Sequence, residues 1–379
     1  MSLAPLTYYE FFAGGGMARA GLGERWTCAF ANDFDPRKAE SYAANWGGGH
    51  LAVGDVWDIG SERLPGRADL AWASSPCQDL SLAGRRAGLS GARSSAFWGF
   101  WRIIEQLRRE GRAPRAVVIE NVAGLANSRD GADFNTLCEA LAREGYQFGA
   151  LEIDAALFTP QSRPRLFVVA TCGAPAPGLT LPGPTAPFHA RRVVEAHARL
   201  PAAARAAWRW WRVEPPPARN QDLAAILEPD AAVAWHAPDQ SARLVAQLSP
   251  ANRAKLVAAQ AAGARRIGAI FRRIRIEGGQ RVQRAEVRFD GLAGCLRTPG
   301  GGSSRQFLMV VEGDRVRTRP MTAREGARLM GLADDYRLPS RPTAALHLVG
   351  DGVAVPVVSW LAGRLLEPLL APAAALAAE

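Results

Sequence analysis

Cysteine is scarce in the 379-residue sequence, and its placement excludes two scaffolds. The five residues Cys28, Cys77, Cys138, Cys172 and Cys295 are odd in number and show no Cys-x-x-Cys spacing. Neither a disulfide framework nor a zinc centre is expected, and no other metal site is indicated. Lysine is nearly missing, since only Lys38 and Lys255 stand among 46 basic residues. An arginine bias of that size also follows from a GC-rich genome, so arginine geometry alone identifies no ligand. No basic segment followed by an apolar stretch opens the chain, and no apolar run reads as long enough to cross a bilayer. A soluble, unsecreted protein without a membrane partner is expected.

What is present is a globular composition, 48% hydrophobic and 22% charged, on a chain long enough for a large core and a second, smaller lobe. The net charge of +10 is informative through its position. Between Arg243 and Arg288 eleven basic residues face two acids, Glu277 and Glu286. Almost the whole excess sits in that segment, so a polyanion is the natural partner and nucleic acid its leading form.

The first half of the chain alternates strand and helix signals. Thr7 to Ala13 reads as a strand that breaks into Gly14-Gly15-Gly16 and restarts as a helix at Met17. Strand, Gly-rich turn and helix form a nucleotide-type cofactor site, although Arg19 stands where a pyrophosphate fingerprint wants glycine. A second strand, Trp26 to Ala31, ends in Asn32-Asp33, and a third, Leu51 to Val53, ends in Gly54-Asp55. An acid at the second strand tip suits ribose hydroxyls; capping the helix from Pro36 is the alternative. Ala68 to Trp72 is a buried strand leading to Ser74-Ser75-Pro76-Cys77-Gln78. The proline holds Cys77 where the strand gives way to a Gly- and Arg-rich loop, a position for a nucleophile; a small inert buried thiol is the alternative.

The loop from Gln78 to Arg93 reads as a mobile cationic lid. Phe97, Phe100, Trp101, Ile104 and Leu107 recur at helical spacing and read as core. Ala116 to Ile119 is a strand delivering Glu120 toward the crevice in which open α/β sheets bind ligands; capping the next loop is the alternative. After a helix from about Asp133 and a strand from Gln147 to Asp154, Arg163 and Arg165 lie two apart at a strand start. They are therefore expected to face one side and hold an anion or a carbonyl; a surface ion pair is the alternative. Residues 173 to 187 read as a linker. Beyond it, Trp208 to Arg212 interleaves rings and charges, for base stacking or for packing, and Arg297 to Arg305 forms a Gly- and Ser-rich loop suited to nucleic-acid contact.

With these motifs placed, the chain resembles the DNA (cytosine-5) methyltransferases over nearly its full length. The family's ordered blocks have counterparts in Phe11-Phe12-Ala13-Gly14-Gly15-Gly16, Asn32-Asp33, Gly54-Asp55, Pro76-Cys77-Gln78, Glu120-Asn121-Val122, Gln161-x-Arg163-x-Arg165 and Arg324 to Gly331. The resemblance implies an α/β fold: a doubly wound, Rossmann-like S-adenosylmethionine-dependent methyltransferase domain over residues 1–185, and a smaller target-recognition domain over 186–344. Residues 345–379 are then expected to pack back on the catalytic domain. It also implies S-adenosylmethionine as cofactor and S-adenosylhomocysteine as product. Phe11, Gly14, Gly16, Asn32, Asp33, Asp55, Val56, Pro76, Asp351 and Val353 are the implied cofactor residues, with Asp33 on the ribose and Asp55 on the adenine amino group. Cys77 would add to C6 of a flipped-out cytosine in double-stranded DNA, Glu120 would act at N3, Arg165 would hold the O2 side, and Arg163 would support the site. Gln78, Arg85, Arg93, Arg297, Ser303 and Arg305 are the implied DNA contacts.

The implied enzyme acts as a monomer in the bacterial cytoplasm beside the nucleoid, with or without a cognate restriction endonuclease. Two positions depart from the family pattern: Asp351 replaces the usual asparagine, and Cys295 the usual threonine. A tRNA cytosine-5 methyltransferase on the same fold is the nearest alternative. A nicotinamide-dependent oxidoreductase shares only the glycine turn and Asp33.

Overall fold

The parallel strands read from the sequence assemble into one sheet in a computed structural model that describes residues 5–76, 96–298 and 305–371. The chain divides into two units, Met1–Ile153 with Pro164–Pro216 and Val357–Glu379, and Asp154–Arg163 with Pro217–Pro356. Compared with a division at 185 and 344, residues 186–216 fall in the first unit, and 154–163 and 345–356 in the second. Cys77, Gln78, Arg85, Arg93, Ser303 and the lid from Gln78 to Arg93 lie outside the described residues.

In the first unit, β1 (Leu6–Phe11), β2 (Trp26–Asp33), β3 (Leu51–Val53), β4 (Leu70–Ala73), β5 (Ala116–Val122), β6 (Tyr146–Asp154) and β7 (Pro164–Cys172) form a sheet of order β3-β2-β1-β4-β5-β7-β6. The pairs from β3 through β5 are parallel, and β7 runs antiparallel to β5. The order reverses direction at β1 and β4, which creates the crevice at their C-terminal ends. Among the described residues, α1 (Met17–Leu22), α2 (Pro36–Trp46), α3 (Ala96–Arg109) and α4 (Ala132–Arg143) connect the strands of the sheet. The aromatic stripe of α3 is core as its spacing predicts, with Phe97, Phe100, Ile104 and Leu107 all without exposed surface.

Further along the unit come β8 (Thr180–Leu181), α5 (Arg191–Ala198), α6 (Ala202–Ala207) and β9 (Trp210–Trp211). Trp208 and Trp211 are 5% and 1% exposed, and Trp208 packs edge-on against Phe134 and Phe148. Of the two roles open for this aromatic run, those two indoles take the packing one.

In the second unit, α7 (Pro238–Ala246) and α8 (Pro250–Ala261) precede an antiparallel sheet of order β11-β10-β12-β13. Its strands are β10 (Arg266–Glu277), β11 (Gln280–Arg288), β12 (Phe307–Glu312) and β13 (Arg315–Pro320). Leu244, Leu248 and Leu256 close one face over Ile270, Val287, Phe307 and Met309. The helices α9 (Ala323–Leu329) and α10 (Pro342–Asp351) follow, and α11 (Val355–Leu361) begins at the end of this unit and continues in the first from Val357. Arg319 and Glu325 form a doubly hydrogen-bonded pair that is 1% and 0% exposed and joins β13 to α9.

The run Pro342–Leu370 corrects one expectation. Its 29 residues contain an 18-residue stretch of mean hydropathy 1.5, long and apolar enough to cross a membrane by length and composition. Half of that stretch is buried inside the protein, and Gly352 to Ala354 interrupt its helices. Within the first unit its far end is tied down by Arg115 Nη2, which donates to the Leu370 carbonyl at 2.7 Å, and by an Arg25–Glu367 ion pair at 3.1 Å. A core-packing role accounts for its composition.

Candidate active site

The turn after β1 is shaped by glycine conformations that side chains resist. Gly14 and Gly16 have φ of 56° and 77°, in the left-handed region that costs other residues about 1–2 kcal/mol. A Cβ at Gly16 would come within 2.4 Å of Trp46 Nε1, whose indole donates to the Gly15 carbonyl at 3.0 Å. At Gly14 a Cβ would meet nothing within 4 Å, so the backbone borders open space there. Arg19, the residue that spoils a pyrophosphate fingerprint, points beneath the turn. Its guanidinium donates to Tyr42 Oη at 3.2 Å and lies 5.2 Å from the Trp46 ring.

The strand-end acids organise this edge. Asp33 accepts from the Gly14 amide at 2.7 Å and from the Asp35 amide at 2.9 Å. Burial pushes its carboxyl above the usual range, against those two amides. Helix capping falls to Asp35, which accepts from the Arg37 amide, so the capping alternative for Asp33 is set aside. Asn32 Nδ2 donates to the carbonyls of Ala52 and Gly54 at 2.9 and 3.0 Å and thereby fixes the end of β3. Asp55 caps the short turn Val56–Asp58 through the Trp57 amide at 3.0 Å, and the Val56 side chain is buried in the core.

Phe11 needs correction. It has no exposed surface and packs between Phe30 and Phe100 at centroid distances of 5.7 and 4.9 Å. From Tyr8 to Phe11 both faces of β1 are covered, and the Phe11 ring is not available to a ligand. Phe12, half-buried with φ 57°, occupies the turn itself. Phe34, 72% exposed directly after Asp33, was also passed over. An exposed ring beside a strand-end acid is the signal that identifies it. Open space beside the Gly14 backbone, acids at two neighbouring strand tips and an exposed aromatic ring fit an adenosine-bearing cofactor.

Across the switch point, β4 and β5 deliver the second half of the site. Pro76 is exposed at the end of the β4 segment, while Ser75 is buried. Asn121 Nδ2 donates to the Ser75 carbonyl at 3.1 Å and reaches Ser75 Oγ at 3.3 Å, and its Oδ1 accepts from the Val122 amide at 2.8 Å. Asn121 thus ties the segment that leads into Cys77 to the end of β5. Glu120, 6% exposed, pairs with Arg165 Nε at 3.2 Å. The antiparallel register sets Glu120 opposite Phe167 and Val122 opposite Arg165, so Glu120 and Arg165 are diagonal neighbours on one face.

Arg163 takes a different position from the one expected. β7 begins at Pro164, so Arg163 precedes the strand and the argument from alternation does not reach it. In the second unit it is 2% exposed and donates to the carbonyls of Leu296 at 2.7 Å, Gly350 at 3.0 Å and Gly352 at 2.6 Å. Gln161, fully buried, receives the Leu296 amide and donates to the Leu329 carbonyl, each at 3.0 Å. Asp351 accepts the Thr298 hydroxyl, and the Val353 side chain is buried in that unit. Arg297 and Arg305 are exposed on either side of 299–304. Among the described residues no cluster of three or more His, Cys, Asp or Glu side chains is arranged to hold a metal ion.

A sheet that changes direction at a glycine turn, with acids on its next two strands and a seventh strand antiparallel beside β5, defines the Rossmann-like methyltransferase class of fold. The sequence profile of C-5 cytosine-specific DNA methylases matches residues 6–182 and 254–367, and the chain belongs to that family. It is 31% identical over 166 residues to type II methyltransferase M.BsuFI of Bacillus subtilis, covering 43% of this chain and 39% of that protein. It is 32% identical over 171 residues to type II methyltransferase M.HpaII of Haemophilus parainfluenzae, covering 43% and 45%. The chain therefore spans less than half the length of these relatives. The solved structure of the S. pombe Dnmt2 methyltransferase aligns over 96% of this chain and 99% of its own with a TM-score of 0.61. At 18% identity that likeness concerns the fold.

Proposed function

We propose that the chain transfers a methyl group from S-adenosylmethionine to C5 of a cytosine flipped out of double-stranded DNA. The observation that carries this reading is the diagonal Glu120–Arg165 pair beside the Asn121-tethered segment that runs into Pro76-Cys77. When bound, S-adenosylmethionine supplies an electrophilic methyl group. Gly14, Asp33, Asp55 and the ring of Phe34 would hold its adenosine portion, and Phe12 would stand at the turn.

C5 of cytosine is too weak a nucleophile to take the methyl unaided. Cys77 as thiolate would form a bond to C6, moving the ring electron pair toward C5 while Glu120 supplies a proton or hydrogen bond at N3. Arg165, held by Glu120, would donate to the O2 side and stabilise charge that develops there. After C5 is methylated, its proton is lost and the returning electron pair expels the Cys77 thiolate. Arg163 is assigned a supporting role, since its described donors hold backbone carbonyls. Reaching C6 requires the base to leave the stack, and the cationic segment from Arg243 to Arg288 suits the duplex that remains.

Bisulfite sequencing of DNA and tRNA from cells expressing the protein tests this reading. Protection of cytosines within a defined DNA sequence, abolished by Cys77→Ala, is the expected result. Protection confined to tRNA would move the assignment to RNA, and full protection by the Cys77→Ala protein would remove the covalent mechanism.

A further inference from the structure

The two faces of the β10–β11 ribbon are chemically unlike. β12 pairs with β10 only from Arg266 to Ile270, whereas β11 continues beside β10 to the Glu277–Gln280 turn. The outer half is therefore a two-stranded ribbon extending past its sheet. On one face, Arg273 and Arg275 pair with Glu286, and Arg284 with Glu277. Two carboxylates thus offset all but one of those three positive charges.

The other face carries Arg272, Ile274 and Ile276 opposite Ala285, Gln283 and Arg281, with no acid among them. Ile274 and Ile276 are 49% and 78% exposed, among the largest exposures of any apolar side chain described here. Arg281 makes no ion pair among the described residues. At the root of this face Arg272 lies 4.8 Å from the Phe307 ring, in a cavity also lined by Gln240, Arg243 and Gln247 of and after α7. Arg243 pairs with Asp239, the one acid of that helix.

Two exposed isoleucines on a projecting ribbon are an aggregation liability unless a partner covers them. A second copy would present the same cationic face and repel it. We propose that this face lies in the major groove of the substrate duplex and reads its sequence, with Ile274 and Ile276 against apolar base edges and Arg281 and Gln283 at neighbouring polar ones. This rests on the duplex-DNA reading above and adds the residues that choose the target. A two-stranded ribbon fits a major groove about 12 Å wide as it stands, whereas a minor groove of about 6 Å would have to be widened to admit it. Alternate residues of a strand are about 6.7 Å apart, which matches two base-pair steps of about 3.4 Å. The two isoleucines would thus address positions two steps apart.

The test compares the full-length protein with the double variant Ile274→Ala/Ile276→Ala and with Arg284→Gln on the opposite face. Bisulfite sequencing gives the target pattern, and fluorescence anisotropy gives affinity for a duplex oligonucleotide. The double variant should keep its thermal unfolding midpoint, since both side chains are exposed. It should methylate the preferred site at least tenfold more slowly and lose base preference at one or two positions, while Arg284→Gln keeps the pattern. An unchanged pattern and rate in the folded double variant overturns the proposal, as does an unchanged pattern accompanied by a changed oligomeric state. If the wild-type protein methylates no DNA, the functional reading fails separately. Duplex affinity equal in wild type and double variant would then overturn this inference as well.

Discussion

Replacing Asn121 with alanine tests whether the end of β4 is positioned from β5. The side chain makes hydrogen bonds of 3.1 and 3.3 Å to Ser75 and one of 2.8 Å to the Val122 amide, and it is 3% exposed. Alanine would leave two buried oxygens of Ser75 and the part-buried Val122 amide without that partner. At about 1 kcal/mol for each lost bond, the loss in stability should be about 3 kcal/mol. The kinetic effect should be larger than this suggests, because Cys77 follows Ser75 by two residues and a misplacement of about 1 Å can cost ~100-fold in rate. Single-turnover methyl transfer should therefore slow about 100-fold, with S-adenosylmethionine affinity unchanged within about twofold. Denaturant unfolding, isothermal titration and rapid-quench assays of one preparation supply the three numbers. A folded Asn121→Ala protein with a wild-type single-turnover rate would refute the positioning role.

Gly16→Ala should destabilise by more than about 2 kcal/mol, from left-handed strain and the displaced Trp46 indole, and should weaken S-adenosylmethionine binding at least tenfold by titration calorimetry. Glu10 makes the opposite kind of prediction. Burial raises its carboxyl to about 8, against the lowering effect of Arg19, and Oε2 has no hydrogen-bond partner. The folded protein then holds a proton that the unfolded chain releases near pH 4.5. Stability should fall as pH rises from about 5 to 8, by up to about 1.4 kcal/mol per pH unit. Glu10→Gln should flatten that slope in urea titrations between pH 5 and 8; an unchanged slope would assign it to another group.

The strand ends were legible because each ends in a residue type with its own chemistry: glycine at Gly14, acids at Asp33 and Asp55, a carboxylate at Glu120. The family resemblance, however, was too coarse at the end of β1. It did not distinguish Phe11, buried between Phe30 and Phe100, from Phe12 in the turn. The antiparallel entry of β7 was also hidden, since its composition is that of any buried strand. That reversal places Arg165 diagonally from Glu120, whereas spacing alone had grouped it with Arg163. Charge counting found the basic segment but not its two faces, because Glu286 and Glu277 offset the charge of one side only once β10 and β11 are in register.

The two departures from the family pattern meet the same guanidinium neighbourhood. Cys295 Sγ receives a donor of Arg163 at 3.4 Å, and Asp351 lies between Gly350 and Gly352, whose carbonyls take the other end of Arg163. The Asp351 carboxylate accepts the Thr298 hydroxyl, an interaction that an amide oxygen also makes. Asp351→Asn should therefore shift stability by less than about 1 kcal/mol. Arg163→Lys should not be tolerated in the same way. A lysine ammonium is a single point with three donors, while Arg163 spans the Leu296 carbonyl on one side and two glycine carbonyls on the other. The lost bonds and unsatisfied carbonyls should cost roughly 2–4 kcal/mol, read as a lower urea midpoint at unchanged slope. A lysine variant as stable as wild type would show that the 295–298 and 350–352 segments hold together without the guanidinium fork, and that Arg163 is kept for something other than their anchorage.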